Sequence, residues 1–163
     1  MKRLLAYLFV VLGLGLVFND SVNAKKYKWE MVTTFPKNFP YLDEQVVDFI
    51  NKIKDETNNK LNIVRYGANE KVKAFDVFDA VENGHFELGW SYPVYWIKKD
   101  TGFSIIAGTP FSLPPQDHHL WQIQEGKQLA DKVFRKFNMK GIYCGVSSWE
   151  GDFWSNKKIK SPK

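Results

Sequence analysis

Residues Lys73–Trp96, KAFDVFDAVENGHFELGWSYPVYW, decide how the rest of the chain is read. Phe75, Phe78 and Val81 recur at three-residue spacing with Val77 and Ala80 beside them, so one face is apolar at the helical period. Asn83-Gly84 stops this helix, because glycine takes the left-handed conformation of a helix C-terminus without a Cβ clash. His85 to Trp90, HFELGW, then alternates polar and apolar residues, which is the period of a strand. A helix, a glycine stop and a strand in so short a stretch make half of a βαβ unit. The strand runs into Ser91, Tyr92, Pro93, Tyr95 and Trp96. Open parallel sheets bind ligands just past their strand ends, so these polar and aromatic residues are the first candidates for a pocket.

The same alternation extends toward the N-terminus. Tyr27 to Thr34, YKWEMVTT, reads as a strand, and Phe35 to Pro40 as a loop that two prolines keep out of both helix and strand. Val46, Val47, Phe49, Ile50 and Ile53 follow at helical spacing, with Asp43 and Glu44 placed in the first turn where they suit the helix dipole. Thr57-Asn58-Asn59 ends that helix, and LNIVRY, Leu61 to Tyr66, reads as a second strand.

Toward the C-terminus, Phe103 to Leu113 is apolar but too broken by Gly108 and Pro110 for a long helix. A helix starts at Pro115 and carries Leu120, Trp121, Ile123, Leu129, Val133 and Phe134, with a bend expected at Gly126. Ile142 to Ser148 reads as a strand, and Phe153-Trp154 as a further extended piece. Strands alternating with helices predict a largely parallel sheet covered on both faces, a three-layer αβα arrangement. The periods place Trp29, Val32, Val46, Ile50, Ile63, Phe75, Phe78, Leu88 and Trp121 in its core.

The first 24 residues are read as an export signal and left out of the fold. Lys2-Arg3 is a charged start, Leu4 to Phe18 an apolar run too short for a comfortable membrane span, and Val22-Asn23-Ala24 a cleavage site. The chain's 163 residues suit one domain or one and a half, with the folded part taken as residues 25–163. The chain carries a formal charge of +5, with charges interspersed and no basic stripe interleaved with aromatics, so nucleic acid is not an expected partner. Cys144 is the only cysteine, which excludes an intrachain disulfide and the small stapled secreted folds.

No catalytic set stands out. His118 and His119 are neighbours on a helix, so their side chains diverge by about 100° and read as a solvated face rather than a metal pair. Ser147-Ser148 lacks the Gly-x-Ser-x-Gly elbow, no glycine-rich phosphate loop is present, and Asp76 and Asp79 read as a solvated helix edge.

With these residues in place, YKWEMVTTFPKNFP, FDVFDAVENGHFELGW with its following YW, GTPFSLPPQ, and FNMKGIY with a later NKKI together resemble the DctP-type solute-binding proteins of TRAP transporters, the tripartite ATP-independent periplasmic systems. Within that family the chain is most similar to the branch that binds α-keto acids and related carboxylates. The likeness runs from Lys26 to Ile159 and corresponds to about the first half of such a protein, the first lobe of a two-lobe fold. It implies a periplasmic location in a Gram-negative bacterium and a small organic acid as ligand, a 2-oxo or 2-hydroxy carboxylate. It also implies the membrane subunits of a TRAP transporter as partners, and it allows a homodimer.

The resemblance further implies ligand contacts at or near Phe35, Tyr95 and Trp96, and at Glu150 on the crossover strand, where the keto-acid branch has a neutral amide. A carboxylate there would repel a bound carboxylate unless protonated or compensated. Glu150 is open to several roles: pairing with the family's carboxylate-binding arginine, expected beyond Lys163; holding a Na⁺ or Ca²⁺ that also touches the ligand; recognising an amine; or standing as an ordinary strand glutamate. No cofactor is required. A secreted or periplasmic α/β enzyme is the alternative to this binding function, and the absence of a nucleophile motif argues against it.

Overall fold

The computed structural model describes residues 25–109, 112–146 and 156. The signal segment, Glu150 and the Phe153-Trp154 piece lie outside them. A three-stranded, all-parallel sheet forms the centre, built from β1 (Tyr27–Thr33), β2 (Leu61–Tyr66) and β3 (Leu88–Trp90) in the spatial order β2-β1-β3. Tyr27 pairs with Leu61 and Val32 with Tyr66 on one side of β1, while Met31 pairs with Leu88 and Thr33 with Trp90 on the other. Each crossover carries a helix, as parallel neighbours require. They are α1 (Leu42–Glu56) between β1 and β2, and α2 (Val77–Glu82), entered through a 3₁₀ turn at Ala74–Asp76, between β2 and β3.

Alternation along the strands sends their side chains to two faces. On one, Met31 and Ile63 meet Val46, with Phe49, Ile50, Leu88 and Trp90 packed around them, so α1 covers this side. On the other, α2 lies so close to β3 that a Cβ added at Gly89 would stand 3.0 Å from Val81 Cγ2 and 3.2 Å from Val77 Cγ1. Behind α2 a second core gathers Phe78, Trp96, Phe103, Ile106 and Val133. It is supplied by the 3₁₀ turn Pro93–Trp96, by α3 (Gly102–Ala107) and by α5 (Lys127–Arg135). Phe103 is fully buried, with ring centroids 5.1 Å from Phe134 and 5.6 Å from Phe78. Helices on both faces of a small parallel sheet make this an α/β lobe of the periplasmic-binding-protein kind, with the expected layers.

Local chemistry accounts for the boundaries. The stop after α2 is a Schellman pattern, in which Gly84 N–H donates to the Val81 carbonyl and His85 N–H to that of Ala80, with Gly84 at φ 72°. Because His85 is taken up in this cap, β3 is shorter than HFELGW suggests. Glu87 leaves the ladder as well: its carboxylate, rather than a backbone carbonyl, accepts the Glu30 N–H at 2.7 Å. Between α4 (Pro115–Trp121) and α5, residues Gln122–Gly126 widen into a π turn. A Cβ at Gly126 would sit 2.8 Å from the Trp121 ring, so glycine lets the indole fold over the helix where the bend was expected.

Three expectations are corrected. Trp29 is half-exposed, because β3 pairs with β1 only from Met31 onward and leaves the start of the strand uncovered. Phe75 is 65 % exposed, because it falls in the tighter 3₁₀ turn and leaves the apolar stripe of α2. Ile142–Val146 form no strand: Gly145 turns the backbone to φ 135°, and these residues pair with none of β1–β3. Val32, Val46, Ile63 and Phe78 are buried as expected, while Ile50, Leu88 and Trp121 are partly buried.

Two outcomes follow from the contact between α3 and α5. A Cβ at Gly102 would stand 2.5 Å from Val133 Cγ2, so Gly102→Ala should destabilise the lobe by about 1–3 kcal/mol in urea unfolding, overriding alanine's better helix propensity. Asp100 ties the same helices. Its carboxylate accepts from Lys136 Nζ at 2.6 Å and from Gly102 N–H at 2.7 Å, and these bonds hold its pKa below the usual 3.8. The charged form is the one the fold favours, so this contribution is present at neutral pH and lost as pH falls below that value. Thermal melts across the acid range should decline less steeply for Asp100→Asn than for wild type.

Candidate functional site

All three strands point their carboxyl ends to one edge, and the loops that leave them meet there. The carbonyl of Phe35, just past β1, accepts the Ala68 N–H from the loop after β2 at 2.9 Å. Thr34 N–H donates to the carbonyl of Trp90 at the end of β3 at 3.0 Å. Lys37 and Glu70 close the same junction with a 2.7 Å ion pair, and the ammonium holds the Glu70 carboxyl below its ordinary range. The Phe35 loop is thus fastened to both neighbouring strand ends.

An aromatic group stands on this edge. The Phe35 ring lies 5.1 Å from Tyr92 edge-on and 6.5 Å from Tyr95, and the two tyrosines are 6.0 Å apart. Phe75 meets Tyr95 at 5.5 Å and 86°, so the residue lost from the core stripe belongs to this cluster instead. Phe39 joins at 6.4 Å from Phe35. Edge-to-face packing of this kind adds about 0.5–1.5 kcal/mol per pair beyond area burial.

Of the residues singled out in the sequence, Phe35 and Tyr95 are brought together. Trp96 is 6 % exposed and lies behind them, its ring 5.2 Å from Phe78 in the second core and its indole N–H donated to Ser91 Oγ at 3.2 Å. Its place is that of an anchor which fixes the turn bearing Tyr92 and Tyr95. Glu150 lies outside the described residues. Tyr92 carried the signal of its position after a strand, but Phe75 could not be separated from core helix residues by spacing alone.

Charged groups around the edge are compensated by neighbours. Arg65 Nη1 pairs with Asp43 at 2.7 Å, and both side chains are largely buried. Tyr66 donates its hydroxyl to Glu30 at 2.8 Å, which raises the phenol pKa. An open depression of about 380 Å³ borders the loop, lined by Asn38, Phe39, Asp43, Glu44, Val47, Asp48 and Arg65. Its carboxylates suit no anion, and the aromatic edge is the better ligand wall.

The remaining chemistry-bearing residues are occupied structurally. His118 is half-buried rather than solvated. Its Nε2 faces the Ile106 carbonyl at 3.1 Å, and Gln122 donates to the same oxygen, so both close the C-terminal end of α3. His119 turns away to the Tyr143 hydroxyl at 2.8 Å, so the pair diverges as expected. Asp79 is ion-paired with Lys99, whose ammonium also lies 4.8 Å above the Phe78 ring. Cys144 is exposed, and partial desolvation of its sulfur shifts the thiol pKa upward. No cluster of three or more metal-ligating side chains occurs among the described residues.

Comparison with known proteins places this lobe. A monocarboxylate 2-oxoacid-binding periplasmic protein of Nostoc sp. strain PCC 7120 is 29 % identical over 136 residues, 82 % of this chain and 37 % of that protein. A TRAP periplasmic solute-binding protein of Colwellia psychrerythraea, solved with bound calcium and pyruvate, superposes with a TM-score of 0.67 at 27 % identity. One from Pseudoalteromonas atlantica, with bound sodium and pyruvate, superposes equally well at 25 % identity. Each superposition covers 69 % of this chain and 35 % of the solved one, so the chain spans little more than a third of these relatives. The pattern of bacterial extracellular solute-binding protein family 7 matches residues 31–163, and the chain belongs to that family, DctP.

Proposed function

We propose that the protein of which this lobe is part captures a small 2-oxo or 2-hydroxy monocarboxylate in the periplasm and passes it to the membrane subunits of a TRAP transporter, without turnover. The observation that carries this reading is the gathering of Phe35, Tyr92 and Tyr95 at the carboxyl edge of a parallel sheet, where such sheets take ligands. The pyruvate bound in the Colwellia and Pseudoalteromonas structures and the name of the Nostoc relative support the ligand class. Aromatic walls suit the carbon skeleton of such an acid, and its carboxylate needs separate compensation. Glu150 is proposed to meet it through a shared Na⁺ or Ca²⁺, because hard cations prefer oxygen ligands and a 2-oxo acid offers two on one side. The calcium and sodium in the two relatives support that arrangement. Capture follows by closure of two lobes around the ligand.

Calorimetry with pyruvate, run with calcium, with sodium and with chelator, tests the reading on the mature protein. Binding should weaken when the cation is removed, and Glu150→Gln should blunt that dependence. Tyr95→Ala should weaken binding about tenfold, the equivalent of about 1.4 kcal/mol. Absence of heat with every small carboxylate would overturn the proposal, and identical binding by wild type and Glu150→Gln would remove Glu150 from the site.

Export is tested separately. Mass spectrometry of the secreted product should find a new N-terminus at Lys25. A chain starting at Met1 in the membrane fraction would contradict cleavage after Ala24.

A further inference from the structure

We infer that Asp43 is a positioning residue for the ligand wall, holding the loop that carries Phe35 and Phe39 in a conformation the loop would not keep by itself. Two positions of this loop lie in the left-handed region, Asn38 at φ 61° and Tyr41 at φ 67°. Asparagine tolerates that region; tyrosine is strained there and needs its surroundings to hold it. Besides the ties of Thr34, Phe35 and Lys37 to Trp90, Ala68 and Glu70, one carboxylate holds the far part of this loop. Asp43 Oδ2 accepts the Asn38 N–H at 2.7 Å, and Oδ1 pairs with Arg65 of β2 at 2.7 Å. The backbone of Asp43 closes the loop from the other end, its N–H donating to the Phe39 carbonyl at 3.0 Å.

Asp43 is 8 % exposed although it stands in the first turn of a surface helix, where a carboxylate placed only to suit the dipole would face water. Arg65 adds a second constraint, since β2 is bonded along its length to β1. Through these contacts the carboxylate sets where the Phe35 ring stands against Tyr92 without itself reaching the aromatic edge. The consequence for ligand binding rests on the proposed reading of that edge as the ligand wall.

The test has a ligand-free arm and a binding arm. In the first, aromatic NMR signals are compared among wild type, Asp43→Ala and Asp43→Asn. Asp43→Ala should shift the ring signals of Phe35, Phe39 and Tyr92 and leave those of Phe103 in the second core in place. Asp43→Asn keeps an oxygen that accepts from Asn38 and should restore most of the wild-type pattern. Unmoved Phe35 and Tyr92 signals in Asp43→Ala overturn the inference whatever the ligand result. In the second arm, pyruvate affinity should fall about tenfold in Asp43→Ala and recover in Asp43→Asn. Val133→Ala, which lowers stability in the remote core, should bind as wild type well below its Tm. An equal loss of affinity in Val133→Ala would reduce Asp43 to a general stability role and overturn the inference. Wild type that binds no carboxylate, with ring shifts as expected, would overturn the proposed function and leave the positioning of the loop standing.

Discussion

Everything in this lobe depends on β1 being bonded on both sides by parallel partners. From Met31 onward such a strand has no free edge. Met31, Val32, Thr33 and Thr34 are all buried along its second half. Parallel pairing has a directional consequence that antiparallel pairing lacks: all strands end at the same edge, and every return must cross a face of the sheet. The crossovers supply α1 and α2, and the shared edge supplies the site. Layers and aromatic edge are two results of one hydrogen-bonding choice.

The two cores divide the work. The smaller, around Met31, Val46 and Ile63, fixes α1 on the sheet. The larger, around Phe103, draws half of its side chains from aromatic residues and stands farther from the sheet. Trp96 connects it to the site, since the indole is buried in that core while its neighbour Tyr95 is exposed on the edge. A single turn therefore carries both a buried anchor and an exposed edge residue.

Polar groups are treated with the same economy. His118, Gln122 and Asp100 each close a helix end or join two helices, and Arg65 and Asp43 compensate one another. Such engagement gives each of these side chains a structural role.

The sequence by itself determined the period of each main element and hence the class of fold. LNIVRY became β2 residue for residue, and the Asn83-Gly84 stop formed the expected cap, because short-range backbone chemistry decides both. Phe35 and Tyr95 were also legible as site candidates, since position after a strand is a local property. Tertiary structure decided what depends on neighbours distant in the chain. Phe75 left its helical stripe for the aromatic edge, because a 3₁₀ turn changes the face a residue occupies. Trp96 went into the core, because α3 and α5 were there to cover it. The carboxylate of Asp43, which in sequence only suits a helix dipole, acquired its part from Arg65, a strand away. Spacing cannot report such a partnership, because it exists only once β2 has paired with β1.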